Sequence, residues 1–358
     1  MKKIVISMLL VFIVNFFMPI YSVFAYQYYL NTSVNNSNSG TFELVWVESS
    51  GSKLTGSCSM PDGNLPEDRV TLIATYQTYY EAKVAMDNLV STEDKVASII
   101  GDREYASNEV QIGRPIRTII DSQYALVDMD TKGSSSLTTN IYDGPSGSNR
   151  LTAINTYGDY GGNAAAFIGF DYGSRRSKIK IAGVTGFVNQ IDNGRLAYEI
   201  IPISIVKSEN YYYVDASGNL RHVLPRNIQK YNCGLITFDL GRAPDYMKMQ
   251  DSLGKQIRYY SYDGNYFYTS MLSMLDDYKA NDTKKAVNSN NPYFNYYMYL
   301  PFHVPTSHSI EDMRTYHNYE PLTSANSMYG TVESFYENEA KYGVNAMLSM
   351  FHAAHESA

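Results

Sequence analysis

The hydrophobic period changes along this chain of 358 residues, and that change constrains the fold more than any other feature. Lys178-Ile179-Lys180-Ile181-Ala182 alternates charged with apolar residues, the pattern of a strand with one wet and one buried face. The last thirty residues instead space their apolar positions three and four apart, the period of an amphipathic helix. A chain this long holds two or three domains at ~100–200 residues each. The two periods therefore predict a multidomain α+β protein. Its 44% hydrophobic residues suffice for packed cores and exclude a disordered chain.

Met1-Lys2-Lys3 followed by the apolar run Ile4–Met18, Pro19 and Val23-Phe24-Ala25 has the layout of a secretory signal peptide over 1–25. An uncleaved anchor is the alternative, because Ile4–Ala25 is long enough to span a bilayer. The expected location is secreted, extracellular or associated with a cell wall. Basic residues number 29 against 36 acidic ones, a net charge of −7 that argues against a nucleic-acid partner. Cys58 and Cys233 are too few for a disulfide scaffold or a four-cysteine zinc site.

The first module, 26–130, reads as α+β. Phe42–Val47, Val70–Ala74, Arg117–Ile120 and Ala125–Val127 are predicted strands, and Ala82, Ala85, Met86 and Leu89 mark one buried helix face. Thr131–Ser136 is a polar linker. Residues 131–208 form the second module, with short glycine-punctuated β segments predicting a small barrel of roughly five to seven strands. In it Gly183-Val184-Thr185-Gly186 turns the chain into Phe187-Val188. The Gly-x-x-Gly followed by an aromatic resembles the last hairpin of SH3-like modules in bacterial wall-lytic enzymes, with Phe187 where that family usually has Trp. This module holds eight basic and five acidic residues, +3 on an otherwise acidic chain. Such an island suits an anionic wall polymer as partner, and it equally suits a solvated strand face.

The third module, 209–358, opens on tyrosine. Tyr259–Tyr299 holds ten tyrosines and two phenylalanines, with Asp263-Gly264 as a hairpin signal between aromatic runs. Tyrosine combines a flat apolar face with a hydroxyl, which suits a sugar ring, although most of these rings are expected to pack between hairpin and helix. Downstream, Thr331 is expected to cap a helix over Val332–Tyr342, Gly343 to end it, and Asn345 to cap a second helix from Ala346. His352, His355 and Glu356 fall on one side of that helix. They do not form a zincin site, which needs two histidines four apart with glutamate between them. No metal and no cofactor is expected. A carboxyl flanked by apolar residues can serve as a general acid, and a glutamate at a helix end is also an ordinary surface residue. Glu333, Glu337 and Glu339 read as a solvated helix face.

Tyr342-Gly343-Val344-Asn345-Ala346 through His355-Glu356-Ser357 resembles the start of the catalytic motif of bacterial endo-β-N-acetylglucosaminidases, lysozyme-like enzymes that cut peptidoglycan glycan chains. Tyr260–Tyr268, Asn288–Tyr293 and Tyr296–Leu300 resemble the segments that precede this motif, in the same order, so the resemblance runs from about Tyr211 to Ala358. It implies a partial lysozyme-like helical domain, peptidoglycan glycan chains as partner, and Glu356 as the general acid that protonates the departing glycosidic oxygen. It implies cleavage after N-acetylglucosamine, as in a cell-wall autolysin. The family pattern continues Glu-Ser-Gly/Ala-Trp-Gly beyond the point where this sequence stops. A C-terminally truncated domain, weakly active or inactive, is therefore expected. A non-catalytic wall-binding protein is the alternative.

Overall fold

The computed structural model describes residues 40–49, 69–104, 117–129, 138–155, 164–192, 194–225, 228, 236–293, 305–319 and 330–356. The expected signal segment 1–25, Cys58, the expected linker 131–136 and Cys233 lie outside these residues. The architecture is mixed α+β, with strands predominating. Two compact units make it up, Met1–Tyr293 and Phe294–Ala358.

The first unit begins with β1 (Phe42–Glu48), β2 (Arg69–Tyr76), β3 (Lys95–Asp102) and β4 (Arg117–Ser122). They pair antiparallel in the order β2-β1-β3-β4. Both faces of this sheet are covered, which is why β1 and β3 are buried at almost every position instead of alternating. Helix α1 (Tyr79–Asp87) starts at a capping box. The Thr78 hydroxyl accepts from Glu81 N, and the Glu81 carboxylate accepts from Thr78 N. The helix lays Tyr79, Ala82 and Met86 on Phe42, Leu44, Ala97, Ile99 and Ile120. The opposite face sends Val45, Val47, Val96 and Ile100 into the main core. A buried arginine, Arg117, crosses the sheet and is neutralised by Glu43 at 3.2 Å and Asp102 at 3.1 Å.

The next strands are β5 (Ala125–Asp128), β6 (Thr138–Tyr142), β7 (Arg150–Asn155), β8 (Ala164–Asp171), β9 (Arg176–Ile181) and β10 (Val184–Asn189). The two-residue strands β11 (Ile191–Asp192) and β12 (Arg195–Leu196) pair with each other, and β13 (Glu199–Pro202) follows. Seven of them form one sheet in the order β13-β5-β8-β9-β10-β6-β7. The sheet stays open, since among the described residues no pairing joins β13 to β7. A closed barrel was expected, and the difference has a packing cause. Leu126, Phe167 and Ile179 are covered by the first sheet and by helix α2 (Met271–Ala280), so the strands need not curl onto themselves. The sheet also takes β5 from the 26–130 stretch, and the first compact unit takes in 209–293.

Strands β14 (Tyr211–Val214), β15 (Asn219–Leu224) and β16 (Ile236–Arg242) make a further, three-stranded antiparallel sheet. It continues into the tyrosine tract, where Tyr212 pairs with Tyr259 and Tyr260 with Tyr268. The turn between them is the expected Asp263-Gly264. Asp263 Oδ1 accepts from Asn265 N and Tyr266 N, each at 2.9 Å, and Gly264 has φ 73°. Tyr259, Tyr262, Tyr268 and Tyr278 are buried, as packing between hairpin and helix requires. Among the described residues no helix is long and apolar enough to cross a membrane.

Candidate active site

The second compact unit holds α3 (Ile310–Tyr319), α4 (Val332–Tyr342) and α5 (Ala346–Glu356). Met313, Val332, Met347 and Met350 are its buried core, with Ile310, Phe335, Tyr336 and Phe351 packed around them. Ser309 opens α3 in a reciprocal cap, its hydroxyl accepting from Asp312 N at 3.1 Å while Asp312 Oδ2 accepts from Ser309 N at 2.9 Å. Those bonds to Ser309 hold the Asp312 carboxyl below the usual aspartate value.

The boundaries of α4 and the start of α5 are where the residue types place them. Gly343 ends α4 in the left-handed region at φ 67°. Asn345 is buried, and its Oδ1 accepts from Leu348 N at 2.9 Å, which makes it the N-cap of α5. Thr331 differs from expectation. Its backbone is already helical at φ −97° and ψ −1°, whereas a capping side chain needs an extended residue, so its side chain makes no cap bond.

Glu356 occupies the last turn of α5, and its side chain lies outside the described residues, as does that of His355. His352 is exposed on the same helix. The three acidic residues of α4 separate by role. Glu337 is exposed. Glu333 pairs with Arg314, whose hydrogen bonds hold its carboxyl below the usual glutamate value. Glu339, expected on a solvated face, is instead a tie. Its Oε2 accepts from Ala346 N at 2.7 Å and from Thr306 N at 2.8 Å. The first of these amides belongs to the opening turn of α5, where helix N–H groups lack internal acceptors. Period alone marks residue 339 as polar; only the three-residue connection from α4 to α5 hints that a carboxylate there can reach back to the next helix.

The segment expected to form an SH3-like hairpin is β9–β10. The chain reverses at Ala182-Gly183, with φ 48° and 78°, which is the twist of a two-residue hairpin turn. Gly186, read in sequence as part of the turn, sits inside β10. A Cβ there would lie 2.5 Å from Ile141 Cγ2 and 2.6 Å from the Tyr142 carbonyl oxygen. Its role is close approach of β10 to β6, and Phe187 beside it pairs with Tyr142. Two of the basic residues of this region have structural partners. Arg176 donates to Asn189 and to the carbonyls of Gly144 and Gly147, and it lies 4.5 Å over the Tyr142 ring. Lys180 sits 3.3 Å from Asp263 and 4.3 Å over the Tyr278 ring, which joins the seven-stranded sheet to the tyrosine tract.

Among the described residues no group of three His, Cys, Asp or Glu side chains could hold a metal ion. Compared with known protein families and with curated proteins, the chain matches none.

Proposed function

We propose that this chain is an exported peptidoglycan hydrolase of the endo-β-N-acetylglucosaminidase type, with Glu356 as general acid. The observation that carries the reading is the segment 342–356, whose sequence resembles the catalytic motif and which folds as a helix end, a short connection and a second helix. Gly343 stops one helix, Asn345 starts the next, and residue 356 arrives in the final turn of that second helix. In this reading the neutral carboxyl of Glu356 donates its proton to the glycosidic oxygen as the bond to the anomeric carbon breaks. Water supplies the oxygen that ends on the anomeric carbon, and the proton it releases returns the Glu356 carboxylate to its acid form. A general acid of this kind needs apolar surroundings that keep its carboxyl neutral. The unit that holds α3, α4 and α5 is the corresponding part of a lysozyme-like domain, and the β9–β10 hairpin with Phe187 belongs to an SH3-like wall module.

The experiment is incubation of the chain with purified peptidoglycan, followed by measurement of new reducing ends. Slow release ending in N-acetylglucosamine, abolished by Glu356→Gln, supports the reading. Wall binding without release by either protein favours the second reading, a non-catalytic wall-binding protein, for which the SH3-like hairpin is the specific observation.

A further inference from the structure

The β14–β15–β16 sheet presents one face to the core through Tyr212, Val214 and Leu220. Its other face carries a row of a different kind. Tyr213, Arg221 and Asp239 are register partners across all three strands, so their side chains leave the sheet on the same side. Tyr211 stands two residues before Tyr213, and the two rings are 6.1 Å apart at a tilt of 40°. Arg258 lies 4.3 Å over the Tyr211 ring and holds Glu209 at 3.0 Å. Arg221 is gripped by Asp215 at 2.6 Å and Asp239 at 2.8 Å. Asp215 is itself fixed, because its Oδ1 accepts from Ser217 N and Asn219 N, each at 2.9 Å.

Two properties of this face select a ligand. Each arginine is neutralised by neighbouring carboxylates, so the face has no surplus positive charge to draw in a polyanion. Tyr211 and Tyr213 are half-buried, and their rings lie beside donors and acceptors that are held in place. A sugar ring has the complementary chemistry, an apolar C–H face with hydroxyl and amide groups at the rim. Guanidinium and carboxylate groups fixed at known positions can bond those rim groups without first being ordered, which lowers the cost of binding.

We propose that the Tyr211–Tyr213–Arg221–Asp239 face is a glycan subsite that binds a neutral chain of β-linked N-acetylated amino sugars. The choice of sugar rests on the wall-glycan reading above, while the face lies in the other compact unit from Glu356. The subsite holds the polymer and takes no part in bond cleavage.

The test uses the full chain carrying Glu356→Gln, so that hydrolysis cannot alter the probe, titrated calorimetrically with β-1,4-linked N-acetylglucosamine tetramer. Binding is expected, at least tenfold weaker after Tyr213→Ala and after Arg221→Met, and within threefold of the parent after Tyr213→Phe. Matching thermal unfolding midpoints exclude misfolding, and Arg221→Lys serves as a second variant if Arg221→Met unfolds. The proposal is overturned if the parent binds no tetramer, if Tyr213→Ala binds as well as the parent, or if only a glycerol phosphate polymer binds and does so in a salt-dependent way. Failure of the cleavage assay with unmodified Glu356 leaves this result standing, so the two readings fail separately.

Discussion

Replacing Gly186 by alanine tests whether β10 and β6 are packed as closely as the structure has them. The added Cβ meets Ile141 Cγ2 at 2.5 Å and the Tyr142 carbonyl oxygen at 2.6 Å. The methyl of Ile141 can rotate, but the carbonyl belongs to β6 and moves only with its strand. Ordinary contact begins about 0.8 Å farther out, so the strands must separate by that much or the ladder must break. Overpacking of this kind costs ~1–3 kcal/mol. The chain has one tryptophan, Trp46 on β1, whose neighbours Val45 and Val47 share the main core with Val188 of β10. Urea unfolding followed by Trp46 fluorescence therefore reports the loss. Gly169→Ala is the matched control, since a Cβ at that strand position meets nothing within 4 Å. It should stay within ~0.5 kcal/mol of the parent. A Gly186→Ala protein as stable as the Gly169→Ala one would refute the argument.

Three further outcomes are expected. Asp263→Ala removes the acceptor for Asn265 N, Tyr266 N and the Ser261 hydroxyl, and leaves Lys180 without its partner; the same urea assay should show a loss of ~2–4 kcal/mol. His222 stacks on Tyr212 at 3.9 Å, and burial lowers its pKa to about 4. The unfolded chain, with histidine near ~6.5, therefore takes up the proton first. The His222 contribution to stability should be full above ~6.5 and fall away as pH drops toward about 4, so the parent should lose more stability across that window than His222→Gln. Asn345→Ala takes away the cap of α5 and should cost ~1 kcal/mol, read as faster amide hydrogen exchange over 346–350.

Local pattern gave the strands β1, β2, β4 and β5 and helix α1 near their observed limits, because each shows a period of two, a short apolar run or a helical stripe. It also placed Gly343 and Asn345 at the two helix ends, where the residue types themselves satisfy orphan backbone groups. The pairing of those elements was not legible. A strand's sequence shows which face is buried but not which strand lies beside it. That is why Ala125–Asp128 looked like the end of one module and lies between β13 and β8. The same limit applies to Lys180 and Glu339. Both read as solvated charges, and only folding brings Asp263 to the first and the Ala346 amide to the second. The Tyr213–Arg221–Asp239 row was hidden for the same reason, since it exists only across three paired strands.

The role of Glu356 is tested most directly by the reducing ends released from purified peptidoglycan over a long incubation, with the unmodified chain beside Glu356→Gln. Slow release of chains ending in N-acetylglucosamine, lost in the variant, is the expected result. Equal release by both proteins, or chains ending instead in N-acetylmuramic acid, would contradict it.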